Sequence, residues 1–93
     1  MKFWAWFDVG KALHWLCALD GEGERVLSRR VEATEEEIGE VLEELARLGG
    51  EMVFGLDMAG GSATLLVSMI LERGERVLSV PGMAVNRSRE AYS

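Results

Sequence analysis

Apolar residues fall into runs of unequal character along this 93-residue chain. Phe3 to Phe7 is continuously apolar, the pattern of a central strand covered on both faces, and Asp8 closes it. Val9-Gly10-Lys11 reads as a turn, and Leu13 to Leu19 as a second strand that forms a hairpin with the first. Asp20-Gly21-Glu22-Gly23 is a further turn signal. A third strand is expected from Arg25 to Val31, where Ser28, Arg29 and Arg30 supply the polarity of a sheet edge.

The period then changes. Ile38, Val41, Leu42, Leu45 and Leu48 recur at helical spacing, with Glu36, Glu40, Glu43, Glu44 and Arg47 on the remaining surface. Thr34 followed by Glu37 predicts a capping box at the start of this helix, and Gly49-Gly50 a left-handed cap at its end. Met52 to Leu56 is a fourth apolar strand closed by Asp57. Gly60-Gly61-Ser62 leads into a second helix running to about Arg73, apolar on nearly every face, which suits contact with the sheet on one side and with something outside this chain on the other. Arg76 to Val80 is a fifth strand, and Pro81-Gly82 opens a third helix that is still running at Ser93. The order β-β-β-α-β-α-β-α predicts an α/β fold. It is an RNase H-like mixed five-stranded sheet, with strands 1–3 antiparallel, strands 1, 4 and 5 parallel, and flanking helices. The whole chain, 1–93, is read as a single domain cut short at its carboxyl end.

Composition narrows the function. Sixteen acidic against ten basic residues give a net charge of −6, which disfavours a broad basic surface for nucleic acid on this domain alone. The charge is local, since seven glutamates lie between Glu32 and Glu44. A single cysteine, Cys17, excludes an internal disulfide and a multi-cysteine zinc site, and it reads as a small buried hydrophobe. No run reaches the ~20 apolar residues of a membrane span, and the apolar start is too short for a signal peptide, so a cytoplasmic protein is expected.

Candidate chemistry centres on aspartate. Of the three in the chain, Asp8 and Asp57 end apolar strands just before glycine-bearing turns. Such a carboxylate loses hydration, which a cation, hydrogen-bond donors or open solvent must compensate. Strands 1 and 4 are expected to be parallel neighbours about 4.8 Å apart, so the two carboxylates can meet one divalent ion at the sheet edge where ligands collect. The plainer alternatives remain open. Asp8 can cap its own turn, and Asp57 can cap the helix that follows. His14, the only histidine, reads as a packed or hydrogen-bonded strand residue, and Trp4, Trp6 and Trp15 as core.

These residues resemble a known family, the RuvC-like amino-terminal domain of the DEDD transposases, the bridge-RNA-guided insertion-sequence recombinases. The resemblance rests on Asp8-Val9-Gly10-Lys11-Ala12-Leu13-His14-Trp15, on Gly55-Leu56-Asp57-Met58-Ala59-Gly60-Gly61, and on Val80-Pro81-Gly82 with Asn86-Arg87. It implies that Asp8 and Asp57 are the first two catalytic, metal-binding acids, with Mg²⁺ or Mn²⁺ as cofactor. The second position is more often glutamate in the family, so Asp57 is a departure. The family's third and fourth acids lie in a downstream Asp-x-x-Asp helix, and no aspartate follows Asp57 here.

The resemblance further implies a separate carboxyl-terminal transposase domain with a serine nucleophile, DNA and guide RNA as partners, and assembly of several protomers. Lys11, Asn86, Arg87 and Arg89 are the candidate nucleic-acid contacts. The isolated chain is expected to bind the metal weakly, if at all, and not to cut DNA. Two rival functions share the sequence features: a phosphate-binding half-domain of the actin-like or sugar-kinase type, and a non-catalytic interaction or dimerisation domain.

Overall fold

Five strands make one sheet in the order β3-β2-β1-β4-β5, as the element order predicts. They are β1 (Lys2–Val9), β2 (Leu13–Leu19), β3 (Arg25–Glu32), β4 (Glu51–Asp57) and β5 (Arg76–Val80), with helices α1 (Glu35–Ala46) and α2 (Thr64–Glu72). The computed structural model of the chain describes residues 1–57 and 63–80. β1 pairs antiparallel with β2 and parallel with β4, β2 antiparallel with β3, and β4 parallel with β5. The expected Gly60-Gly61 turn and the third helix from Pro81 lie outside the described residues.

The core forms between the helices and one face of the sheet. Phe3, Ala5, Phe7 and Val9 of β1 alternate inward, joined by Leu16 and Ala18 of β2, Val31 of β3, and Phe54 and Leu56 of β4. Helix α1 contributes Ile38, Val41, Leu42 and Leu45, and α2 contributes Leu66 and Ile70. Phe7 and Phe54 stack with ring centroids 6.4 Å apart, tying the central strands together. Ion pairs lace the rim. Arg29 of β3 reaches Glu44 at 3.0 Å and Glu37 at 3.5 Å on α1, while Arg73 after α2 reaches Glu43 of α1 at 2.6 Å. That contact holds the Glu43 carboxyl below its ordinary range, through the hydrogen bond from Arg73 first and its charge second.

Several sequence expectations change here. The run Phe3 to Phe7 is not covered on both faces by the described residues. It alternates, and Trp4 and Trp6 stand 41% and 40% exposed on the second face. Trp15 joins them at 49%, so none of the three tryptophans belongs to the core, and Cys17, between Trp6 and Ser28 in register, is only half-buried on the same face. The cause is topological. Both described helices lie over the other face, so no described helix covers what points away from them.

At α1 the Thr34 hydroxyl accepts from the Glu37 N–H at 3.2 Å, but the Glu37 carboxylate accepts from the Glu32 N–H at 3.3 Å instead of closing the box on Thr34. The Thr34 N–H is already taken by the Glu32 carbonyl. Leu48 is exposed because the helix ends at Ala46, two residues before it. Gly49 and Gly50, at φ 76° and 82°, make the left-handed exit expected of them.

Helix α2 matches its reading more closely. It buries Leu66 and Ile70 and leaves Leu65 and Leu71 exposed, so one apolar flank has no partner among the described residues.

Candidate metal centre at the carboxyl edge of the sheet

Asp8 and Asp57 are direct register partners across the parallel β1–β4 pair. Residues paired in this way share a face and sit about 4.8 Å apart between strands. The face is the open one, because Val9 and Leu56 beside them point into the core. Asp8 is exposed and Asp57 half-buried. One oxygen of Asp57, Oδ1, is buried without any hydrogen-bond partner among the described residues. An unpaired buried carboxylate oxygen is costly, of order 1–3 kcal/mol or more. A cation shared with Asp8 would remove that cost.

The third aspartate shows what a turn-forming role looks like. Asp20 Oδ1 accepts from the N–H groups of Glu22 and Glu24 at 2.9 and 3.0 Å, holding the β2–β3 turn. No such bond links Asp8 to a following backbone amide among the described residues, and the five residues after Asp57 lie outside them. The turn after Asp8 is held by another group. The Gly10 N–H donates to His14 Nδ1 at 3.3 Å, and His14 is 3% exposed on the core face of β2. Burial lowers its basicity, and accepting at Nδ1 requires the tautomer that carries its proton on Nε2.

The donor set fits half of a hard-cation site. Two carboxylates offer oxygens suited to Mg²⁺ or Mn²⁺, which take six oxygen ligands including water. Among the described residues no cluster of three or more histidine, cysteine, aspartate or glutamate side chains exists that could complete an all-protein cage. Lys11 lies exposed in the turn just beyond Asp8, lining an open depression with Arg30, Glu32 and Thr34. Asn86, Arg87 and Arg89 lie outside the described residues. His14 is packed and hydrogen-bonded on its strand as the sequence suggests, and its partner, the Gly10 N–H, is what the sequence reading did not name. The signal was the position of His14, four residues after the glycine of the turn that follows Asp8.

Comparison with known proteins agrees with the motif order. Residues 7–93 match the pattern of a transposase family, the DEDD transposases of IS110 type. The chain is 35% identical over 91 residues to an uncharacterized 44.8 kDa protein of insertion element IS116 from Streptomyces clavuligerus. That match covers 98% of this chain and 23% of the relative. An uncharacterized 42 kDa protein of insertion element IS900 from Mycobacterium paratuberculosis is 33% identical, covering 96% of this chain and again 23% of the relative. The chain thus spans under a quarter of the length of these relatives. Among solved structures, Pelota from Archaeoglobus fulgidus superposes with a TM-score of 0.50 at 16% identity, over 92% of this chain and 26% of that one. That likeness concerns the fold alone.

Proposed function

This chain belongs to the IS110-type DEDD transposase family, and from that premise we propose that it is the metal-binding amino-terminal catalytic subdomain of an enzyme acting on phosphodiester bonds in DNA transposition. The observation that carries the reading is the Asp8–Asp57 register pair, with Asp57 Oδ1 buried beside it and without a hydrogen-bond partner among the described residues. Asp8 and Asp57 hold a Mg²⁺ or Mn²⁺ ion from two adjacent parallel strands. Strands rather than loops carry both acids, so their separation is fixed before any ligand arrives, which removes an ordering cost from binding. The half-burial of Asp57 lowers the local dielectric and strengthens its attraction to a cation. When bound, such an ion supplies activation of the attacking oxygen and stabilisation of the leaving oxygen in phosphodiester transfer.

Lys11, on the turn next to Asp8, meets a DNA phosphate as a point charge, and Asn86, Arg87 and Arg89 extend that contact along the backbone. The net charge of −6 leaves most of the grip on DNA and guide RNA to a carboxyl-terminal transposase domain with the serine nucleophile, and to other protomers of a homo-oligomer. Residues 1–93 act as one domain, and the protein works in the cytoplasm. No described helix is long and apolar enough to cross a membrane.

Two carboxylates neutralise only part of the charge of two divalent ions, so the chain by itself is a half-site. Incubated with supercoiled DNA and Mg²⁺ or Mn²⁺, it should leave the DNA intact. Metal-dependent nicking that vanishes in Asp8→Ala would show the half-site reading to be wrong. In a polypeptide of the relatives' length, Asp8→Ala and Asp57→Ala should each lower transposition by at least about 100-fold, the scale set by loss of several kcal/mol of charge stabilisation. Asp20→Ala, at a turn far from the pair, should stay within a few-fold.

A further inference from the structure

We infer that His14 is a positioning residue for Asp8, holding the β1–β2 turn through the Gly10 N–H so that the Asp8 carboxylate keeps its register with Asp57. The inference rests on the proposed role of Asp8 and adds to it the group that sets its place. Asp8↔Asp57 is the last pair of the β1–β4 ladder among the described residues. Beyond it, Val9 pairs with His14 on the β2 side. The chain must then reverse through Gly10, Lys11 and Ala12 into Leu13. Asp8 therefore sits two residues before a turn, at the last described pair of one of its two ladders.

Three contacts fix that turn. The Gly10 N–H donates to His14 Nδ1 at 3.3 Å. Gly10 lies so close to the Leu13 carbonyl that any side chain would collide with it. The Ala12 carbonyl accepts from the Ala33 N–H at 3.0 Å, anchoring the far side of the turn to the segment before α1. His14 supplies the only side-chain bond among them. Its choice is expensive, because a fully covered imidazole loses hydration that a leucine would not need. A purely packing role gives no return for that cost, whereas an acceptor for an otherwise orphaned turn amide does.

The experiment uses the whole chain, with three substitutions at one position. His14→Leu keeps bulk and removes the acceptor. His14→Asn keeps an acceptor, since Oδ1 occupies nearly the place of Nδ1. His14→Gln keeps polarity but moves the acceptor one methylene away, and serves if the leucine variant does not fold. NMR reads two quantities, amide exchange at Val9 and Gly10 and the Mn²⁺ concentration that half-broadens the Asp8 and Asp57 signals, with α1 signals as the folding control.

In His14→Leu and His14→Gln, Gly10 exchange should rise about 10-fold and the Mn²⁺ midpoint about 5-fold, as expected for loss of one hydrogen bond of ~1 kcal/mol. His14→Asn should restore both to within about twofold, a rescue that mere core packing does not predict, since a hydrogen bond and not apolar area is what it returns. Fast Gly10 exchange with an unchanged Mn²⁺ midpoint would overturn the positioning role. Absence of any Mn²⁺ response in the unsubstituted chain would instead sink the carboxylate reading. In that case unchanged exchange at Val9 and Gly10 in His14→Leu would overturn the inference by itself.

Discussion

The two faces of the sheet are made of the same strands and live by different rules. On the covered face, Phe3, Ala5, Phe7 and Val9 meet the apolar stripes of α1 and α2, and His14 is the one buried polar side chain among the described residues. On the open face, Trp4, Trp6 and Trp15 each find a specific companion in place of general burial. Lys2 places its ammonium 5.0 Å from the centre of the Trp4 ring, Trp6 lies over Gly55, and the Trp15 N–H donates to Ser28 at 3.2 Å. Asp8 and Asp57 end this second face. Stability is concentrated on the first face and the proposed chemistry on the second, where Asp8 is exposed and Asp57 half-buried.

Substitutions on the two faces should differ in size accordingly. Phe7→Ala, at a fully buried ring stacked on Phe54, should cost about 3–5 kcal/mol in chemical denaturation. A cost below that of the open-face variants would erase the distinction. Gly55→Val drives a side chain into the Trp6 ring and should cost about 1–3 kcal/mol, with a change in tryptophan fluorescence that reports the displaced ring.

The covered face also carries a pH dependence through His14. Its folded pKa is lowered by burial, so the unfolded chain takes up the proton first. Stability should therefore be complete above the ordinary histidine pKa of about 6.5 and fall as pH drops below it. Thermal melts at pH 7 and pH 5 should show this slope flattened in His14→Asn.

Smaller effects belong to the open face. Trp4→Thr should cost less than about 1 kcal/mol, the span of strand preferences at half-exposed sites. Asp8→Asn should change stability by no more than about 0.5 kcal/mol without metal, as for other exposed positions, while removing a ligand when metal is present.

Much of this contrast was hidden in the sequence. β4 and β5 show little polar alternation, and β1 is wholly apolar from Phe3 to Phe7, so no period of two marks which side faces water. The exposure of the tryptophans depends on where α1 and α2 lie, a long-range property that local pattern does not encode. The helix start at Thr34 and the exits at Gly49 and Gly50 were legible because each has a local cause in capping or turn chemistry, and the strand order because the order of elements and right-handed crossovers leave few topologies. The pairing of Asp8 with Asp57 was legible for a related reason, since both end apolar runs on strands that the element order makes parallel neighbours. The burial of Asp57 Oδ1 without a partner among the described residues, and the choice of the Gly10 N–H as the partner of His14, were not, because both depend on side-chain geometry at a strand end.

The central claim is that Asp8 and Asp57 share one hard cation. Crystals of the chain soaked in Mn²⁺ and measured for anomalous scattering test it most directly. The account predicts a peak between the two side chains, within about 2.0–2.2 Å of an oxygen from each, the distance usual for small octahedral cations. Density free of any peak at that edge at saturating Mn²⁺, with both carboxylates ordered, would contradict it.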